Sequence, residues 1–565
     1  MIQFILVLFI VILETVILVI NINDVKVSSF YEFLHNPNKL GIYLGYILSV
    51  ILLPFVSVAS LNVIKSIRDI YRSLAVKSLR FNSIEVAIKY MNILITMLPL
   101  ALLLMVTGII FRLYIFTLFS LVPLIFLGYI IVKPFADVYE HSKNIENELK
   151  WFLILMIVTE SVRANIGFLI DKLKRTPILS AITKELIVVN RDYLLYLPSY
   201  IDSFIHRARH TPNSRLSSIF TGYASRLRSG GDIVSWLRSK LGEELTISEF
   251  SAKLYSERIS NIFGQIMLAL YALLPLVAIS TYALNITAVI LLNTVATPLL
   301  VFIMYTIRPK SLDVFPMKHL FITLTVMVLS SLLLYAFIGS TSLAIGWVLA
   351  LILSHKYRSI LKEISILEKD CIEIMKLMVE LRRNGYDVAK AIEYIISTNT
   401  INETTKRKLR LALTMLHQGV SLTETSMKIP THSFLFKFTL FTLGLVHECG
   451  GGDPEVFQVV YEYMNRISTL QNTIKKISTL FDIFALVNTV LIVWIWKTLM
   501  PLYASLSYMG IGSVFGVDIN MLYLLIYSSL LGYTMVSSTL RIGLPIIEFR
   551  SIAFLAIGTL LPLLL

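Results

Sequence analysis

Apolar runs long enough to cross a lipid bilayer, roughly 20 residues each, recur along this 565-residue chain and constrain it more than any other feature. Ile286 to Ile307 carries no charge, and the equally uncharged run Ile262 to Leu284 precedes it with Asn285 alone between them. The composition agrees. Hydrophobic residues make up 56% and charged residues 15%, where a soluble domain is nearer a quarter charged, and mean hydropathy is +0.76. The chain reads as an all-α polytopic membrane protein.

Further spans are expected at Ile2–Ile20, Leu40–Ile64, Ile93–Ile110, Leu113–Val132, Leu320–Ile338, Leu343–Leu353, Phe481–Leu499, Met521–Ser537 and Ile552–Leu565, about eleven transmembrane helices in all. The first run lacks the basic leader and small-residue cleavage site of a signal peptide and reads as a retained helix. Glu14 inside it is either a functional carboxylate or a group near the interface.

Charge orients the helices. The segments 65–89, 133–261, 308–318, 354–480 and 538–550 hold 46 of the 50 Lys and Arg residues. The short loops among them carry the weight of the positive-inside rule, and they place all five in the cytoplasm. The net charge of +14 follows from that rule and from contact with anionic membrane lipid, with no need of nucleic acid. Cys371 and Cys449 fall in these cytoplasmic segments, where thiols stay reduced.

Five regions follow: N-terminal transmembrane helices 1–132, a first cytoplasmic helical domain 133–261, central helices 262–353, a second cytoplasmic helical domain 354–480, and C-terminal helices 481–565. Leu149, Phe152, Leu155, Met156 and Thr159 form a helical apolar stripe in the first domain. Leu409, Ala412, Leu413 and Leu416 do so in the second, with Lys406, Arg407 and Arg410 off that face. The two domains share a break. Ser229-Gly230-Gly231-Asp232 answers Gly450-Gly451-Gly452-Asp453-Pro454-Glu455, with the aspartates 221 positions apart. Glycine closes a helix in the left-handed conformation, aspartate caps the next, and proline suits its first turn. A large aromatic, Trp236 or Phe457, stands four places after each aspartate. The pattern reads as a duplicated unit, and Gly230, Gly231, Asp232, Gly451, Gly452 and Asp453 as its hinges.

No phosphate-binding glycine loop and no catalytic constellation occur. His447-Glu448-Cys449 has the residue types of a metal site, but adjacent helical residues point about 100° apart and no second cluster accompanies them. No cofactor, metal or enzymatic activity is expected. A transporter built from parallel repeats is the rival reading. Its weakness is the scarcity of ionisable groups in the spans, Glu14, Lys497 and Asp482 among them.

The second domain carries Leu381-Arg382-Arg383-Asn384-Gly385-Tyr386-Asp387, then His417-Gln418-Gly419-Val420-Ser421-Leu422, then Gly444-Leu445-Val446-His447-Glu448-Cys449-Gly450. This order of helix ends and turns resembles the type II secretion F domain. In the first domain Arg163-Ala164-Asn165-Ile166-Gly167 has its glycine displaced, while Tyr223 to Asp232 is similar to the form in archaeal platform proteins. The resemblance covers roughly residues 130 to 500. It implies a non-enzymatic, multi-pass platform in the cell membrane, of the kind serving type IV pili, tight-adherence pili, the archaellum and type II secretion. Such a platform couples a cytoplasmic hexameric secretion ATPase to the insertion of pilin-like subunits into a filament, and a homodimer fits its pseudo-symmetry. Arg226, Arg228, Arg238 and Lys240 in one copy, and Lys406, Arg407, Lys408 and Arg410 in the other, are the expected contacts to an acidic ATPase surface.

Overall fold

Every element of the computed structural model is helical. It describes residues 114–565 apart from short gaps, the longest at 314–324, 334–341, 509–518 and 543–548, together with part of 74–79. The expected spans before residue 113, Glu14 and Gly452 lie outside the described residues. No strand occurs among the described residues.

In chain order the helices are α1 (Tyr114–Ser161), α2 (Ile166–Arg175), α3 (Ser180–Leu195), α4 (Tyr200–His210), α5 (Ser214–Ser229), α6 (Ile233–Arg258), α7 (Gly264–Leu268), α8 (Leu274–Thr281) and α9 (Ile286–Ile307). They continue with α10 (Ser342–Leu353), α11 (His355–Arg383), α12 (Val388–Ser397), α13 (Glu403–His417), α14 (Leu422–Lys428), α15 (Phe434–Glu448), α16 (Pro454–Tyr508), α17 (Ile519–Ile542) and α18 (Phe549–Leu564). A π-helical turn, Ala269–Leu273, joins α7 to α8. The chain divides into two compact units, residues 1–149 with 180–231, and residues 150–179 with 232–565.

In the first unit α3, α4 and α5 pack with the first part of α1. Phe204 stands edge-on to Phe220 and Tyr223, at 5.0 and 5.4 Å between ring centroids. Ser199 and Asn213 cap α4 and α5 by accepting from the N–H of Asp202 and Leu216. Three ionisable side chains are buried together. The Arg207 guanidinium donates to Glu185 at 2.6 and 2.9 Å, and His141 lies 2.8 Å from the same carboxylate. Burial opposes ionisation of Glu185, yet the hydrogen bonds and charges of His141 and Arg207 outweigh it and hold the carboxyl below its usual range.

Among the described residues of the second unit three helical stretches are long and apolar enough to cross a membrane: Ile286–Ile307, Ser478–Pro501 and Ile519–Arg541. Among helices the backbone satisfies its own polar groups, the requirement lipid imposes on any spanning segment. The π turn widens one helix at Tyr271. Asn488 of α16 donates to the Tyr271 carbonyl at 2.6 Å, and the Tyr271 hydroxyl meets Thr297 of α9 at 2.8 Å. Gly532 of α17 leaves room for the ring, since a Cβ there would lie 2.3 Å from it. One tyrosine thus locks four helical segments. Within the same unit α16 runs 55 residues without a break from Pro454 through the apolar stretch.

Two sequence expectations change. The stripe on α1 is not a stripe: Trp151 to Thr159 is buried on every side, because Trp151 packs edge-on against Phe434, Phe438 and Tyr463 as well. Lys406 does not lie off the buried face of α13. It is buried three residues from Leu409 on the same side, with its ammonium 3.2 Å from Glu403.

Candidate functional site

The helix breaks are built residue by residue from capping chemistry. Gly230 closes α5 with φ 68°, and the N–H of Gly231 returns to the Arg226 carbonyl at 3.3 Å. Asp232 then caps α6, accepting from Ser235 at 3.1 Å. In the second break Gly450 and Gly451 have φ 92° and 98°, and the Gly451 N–H returns to Val446 at 2.8 Å. Asp453 precedes Pro454 at the start of α16, and its carbonyl accepts from Val456 at 3.1 Å. Both breaks close a loop five residues back, the geometry that left-handed glycine allows.

An arginine covers the second glycine of the pair in each. A Cβ on Gly231 would lie 3.2 Å from the Arg226 guanidinium, and one on Gly451 2.9 Å from that of Arg382. Arg382 in turn donates to the Tyr386 carbonyl at 2.8 Å. The end of α15 is braced further. Glu448 accepts from Thr423 at 2.6 Å and pairs with Lys172 of α2, and His447 stands 3.7 Å from Asp387. These partners account for two of the three residues, His447 and Glu448, in the run that has the residue types of a metal site. Among the described residues no group of three His, Cys, Asp or Glu side chains converges on a metal site.

A second correspondence has no motif to announce it. Glu148, buried on α1, accepts from Ser180, Ala181 and Ile182 at the start of α3 at 2.9 to 3.3 Å. Burial pushes its carboxyl up, and the three donors offset part of that. Asp370 of α11, 222 positions later, holds the start of α13: it accepts from the Asn402 N–H at 3.0 Å and from the Thr405 hydroxyl. In both cases a carboxylate on a long helix anchors an N-terminus 32 residues downstream, where unpaired N–H groups and the helix dipole favour an anion. The signal in the sequence was an acidic residue inside an apolar stripe, between Ile145 and Leu149 in one case and between Leu367 and Cys371 in the other.

The register holds along both stretches. The caps Asn165 and Asp387, Ser199 and Ser421, Asn213 and Ser433 lie 222, 222 and 220 positions apart. Arg163, at φ 55°, occupies the left-handed position that Gly385 fills at φ 83°. Ala164 and Tyr386 there make the same return hydrogen bonds, to Thr159 and Leu381. The displaced glycine of the first stretch is therefore an arginine forced into the conformation glycine adopts freely.

The basic residues divide by exposure. Arg226, Arg407 and Arg410 are exposed. Arg228 is exposed and pairs with Asp202 at 3.1 Å, Arg238 with Glu455 at 3.2 Å, and Lys240 with Glu243 at 2.7 Å. Lys406 is buried, and Lys408 is largely withdrawn, 2.8 Å from Glu363 and 2.6 Å from the Pro430 carbonyl. Cys371 is fully buried, which pushes its thiol up to about 12 and leaves it inert. No known family profile, curated protein or solved structure matches the chain.

Proposed function

We propose that the protein is the integral membrane platform of a type IV pilus-like filament assembly machine. It couples a cytoplasmic secretion ATPase to the insertion of pilin-like subunits, within an eleven-span topology that keeps both helical domains in the cytoplasm of the cell. The observation that carries this reading is the pair Glu148 and Asp370, each pinning the third helix of its stretch at the same spacing. Side chains that repeat without a sequence motif argue for two copies of one domain, and the type II secretion F resemblance supplies the function of such a pair. The exposed arginines at the helix breaks are the contacts offered to an acidic motor surface. Affinity purification of the full chain from mild detergent tests it. Recovery of a secretion-type ATPase together with pilin-like subunits is expected, and their consistent absence under low salt would count against the platform.

A transporter remains the second reading because of one observation. Asn293 is fully buried in a spanning helix, and its amide makes no hydrogen bond among the described residues. Buried polar groups inside a membrane mark solute pathways. Substrate-dependent flux through liposomes containing the purified chain would favour it.

A further inference from the structure

Helix α3 ends in Leu194 and Leu195 and the turn to α4 opens with Tyr196; the three are 67, 65 and 75% exposed. Three adjacent large side chains held in water are costly at about 25 cal/mol per Å² of apolar surface, and the turn holding them is stiff. Tyr193 stacks on Tyr200 across it at 4.0 Å, and the N–H groups of Tyr196 and Leu197 both return to the Asp192 carbonyl.

The register of the first unit sets the height of this turn. Helix α3 runs antiparallel to α1: Glu148 holds Ala181 and Ile182, and seven residues back His141 meets Glu185. Leu195 stands ten residues beyond Glu185, about 15 Å along the helix. The same distance back along α1 from His141 reaches the junction of the apolar run Leu113–Val132 with Lys133. Val132 and Phe135 are exposed at that level too, beside Lys133, and Arg191, paired with Asp192 at 2.7 Å, is exposed one turn before the tip. Leucine and tyrosine beside cations compose the boundary layer of a bilayer.

The second stretch supplies the contrast. Asp370 and Glu363 set α13 against α11 in the same antiparallel register, through Asn402 and Lys408. Its corresponding turn, His417 and Gln418, falls level with His355, just past the apolar helix α10. Both residues are exposed and polar. Each turn lies level with the end of its own stretch's apolar run, but only the first turn is apolar.

We propose that Leu194, Leu195 and Tyr196 insert into the headgroup boundary of the bilayer from which α1 emerges, giving the first helical stretch a lipid anchor that the second lacks. The test is a nitroxide on the full chain in nanodiscs of phosphatidylcholine with a minor share of phosphatidylglycerol. Leu195→Cys and Tyr196→Cys are compared with His417→Cys and Gln418→Cys, all with Cys449→Ser; Cys371 is buried and does not label. Collision with oxygen should exceed collision with a water-soluble nickel chelate several-fold at 195 and 196, and the order should reverse at 417 and 418. Water-like collision at all four positions overturns the proposal. So does a label at 195 shielded from both reagents, the signature of protein seated on the tip.

Discussion

Arg163 sits in a left-handed conformation that costs an L-residue roughly 1 kcal/mol, and its counterpart at 385 is glycine. Arg163→Gly should therefore raise the thermal midpoint in detergent by a degree or two, through about 0.5–1 kcal/mol, while Gly385→Ala lowers it. A midpoint that falls with Arg163→Gly would show that the guanidinium makes a compensating contact. The Glu185 cluster bears a different strain. Removing one member of a buried ion pair costs on the order of 3 kcal/mol, so Glu185→Gln should unfold the first unit well before the second. The folded-state pKa of Glu185 is depressed. Its stabilisation is present above the unfolded value near ~4.3 and is lost as pH falls through the lower folded value. Glu148, raised by burial, works the other way: its contribution is present below the unfolded value and lost as pH rises through the folded one. Acid melts of wild type and Glu185→Gln should converge, because the variant has already lost the term that titrates.

At the scale of elements, close packing makes two glycines sharper probes than the conspicuous ones. A Cβ on Gly444 would lie 2.4 Å from the Thr423 backbone nitrogen, so Gly444→Ala must part α14 from α15, costing on the order of 1–3 kcal/mol. Gly532→Ala presses on the Tyr271 ring and should loosen the four-segment lock, read as faster proteolysis near the π turn with helix content unchanged. The helix breaks at Gly230 and Gly450 were legible because only glycine takes their angles cheaply. The break at Arg163 was not, since arginine hides the geometry. The buried face of α13 is legible from Leu409, Ala412 and Leu413, but the charge of Lys406 masks its register with Leu409. Glu148 and Asp370 show in the sequence only as acidic residues inside apolar stripes; the distant helix start that each one binds leaves no mark beside it.

Across the whole molecule, the exposed arginines carry the partner prediction. Arg226→Glu with Arg228→Glu should weaken ATPase capture at least several-fold at low ionic strength, and added salt should shrink the difference. Capture equal to wild type at low salt would remove these residues from the interface. Gly231→Ala adds a Cβ against the flexible end of Arg226, so a loss of filaments with the protein still in the membrane would mark that break as a moving part. The boundary between the two compact units falls at this same place, between Gly231 and Asp232.

Helix α16 contains no joint between Pro454 and the apolar stretch that begins at Ser478. An unbroken, hydrogen-bonded helix of that length resists bending, so a push or twist delivered at its start reaches the lipid almost undiminished. Inserting two glycines into its exposed middle should leave both ends folded and still uncouple them, as a slipping clutch disconnects a sound engine from sound wheels.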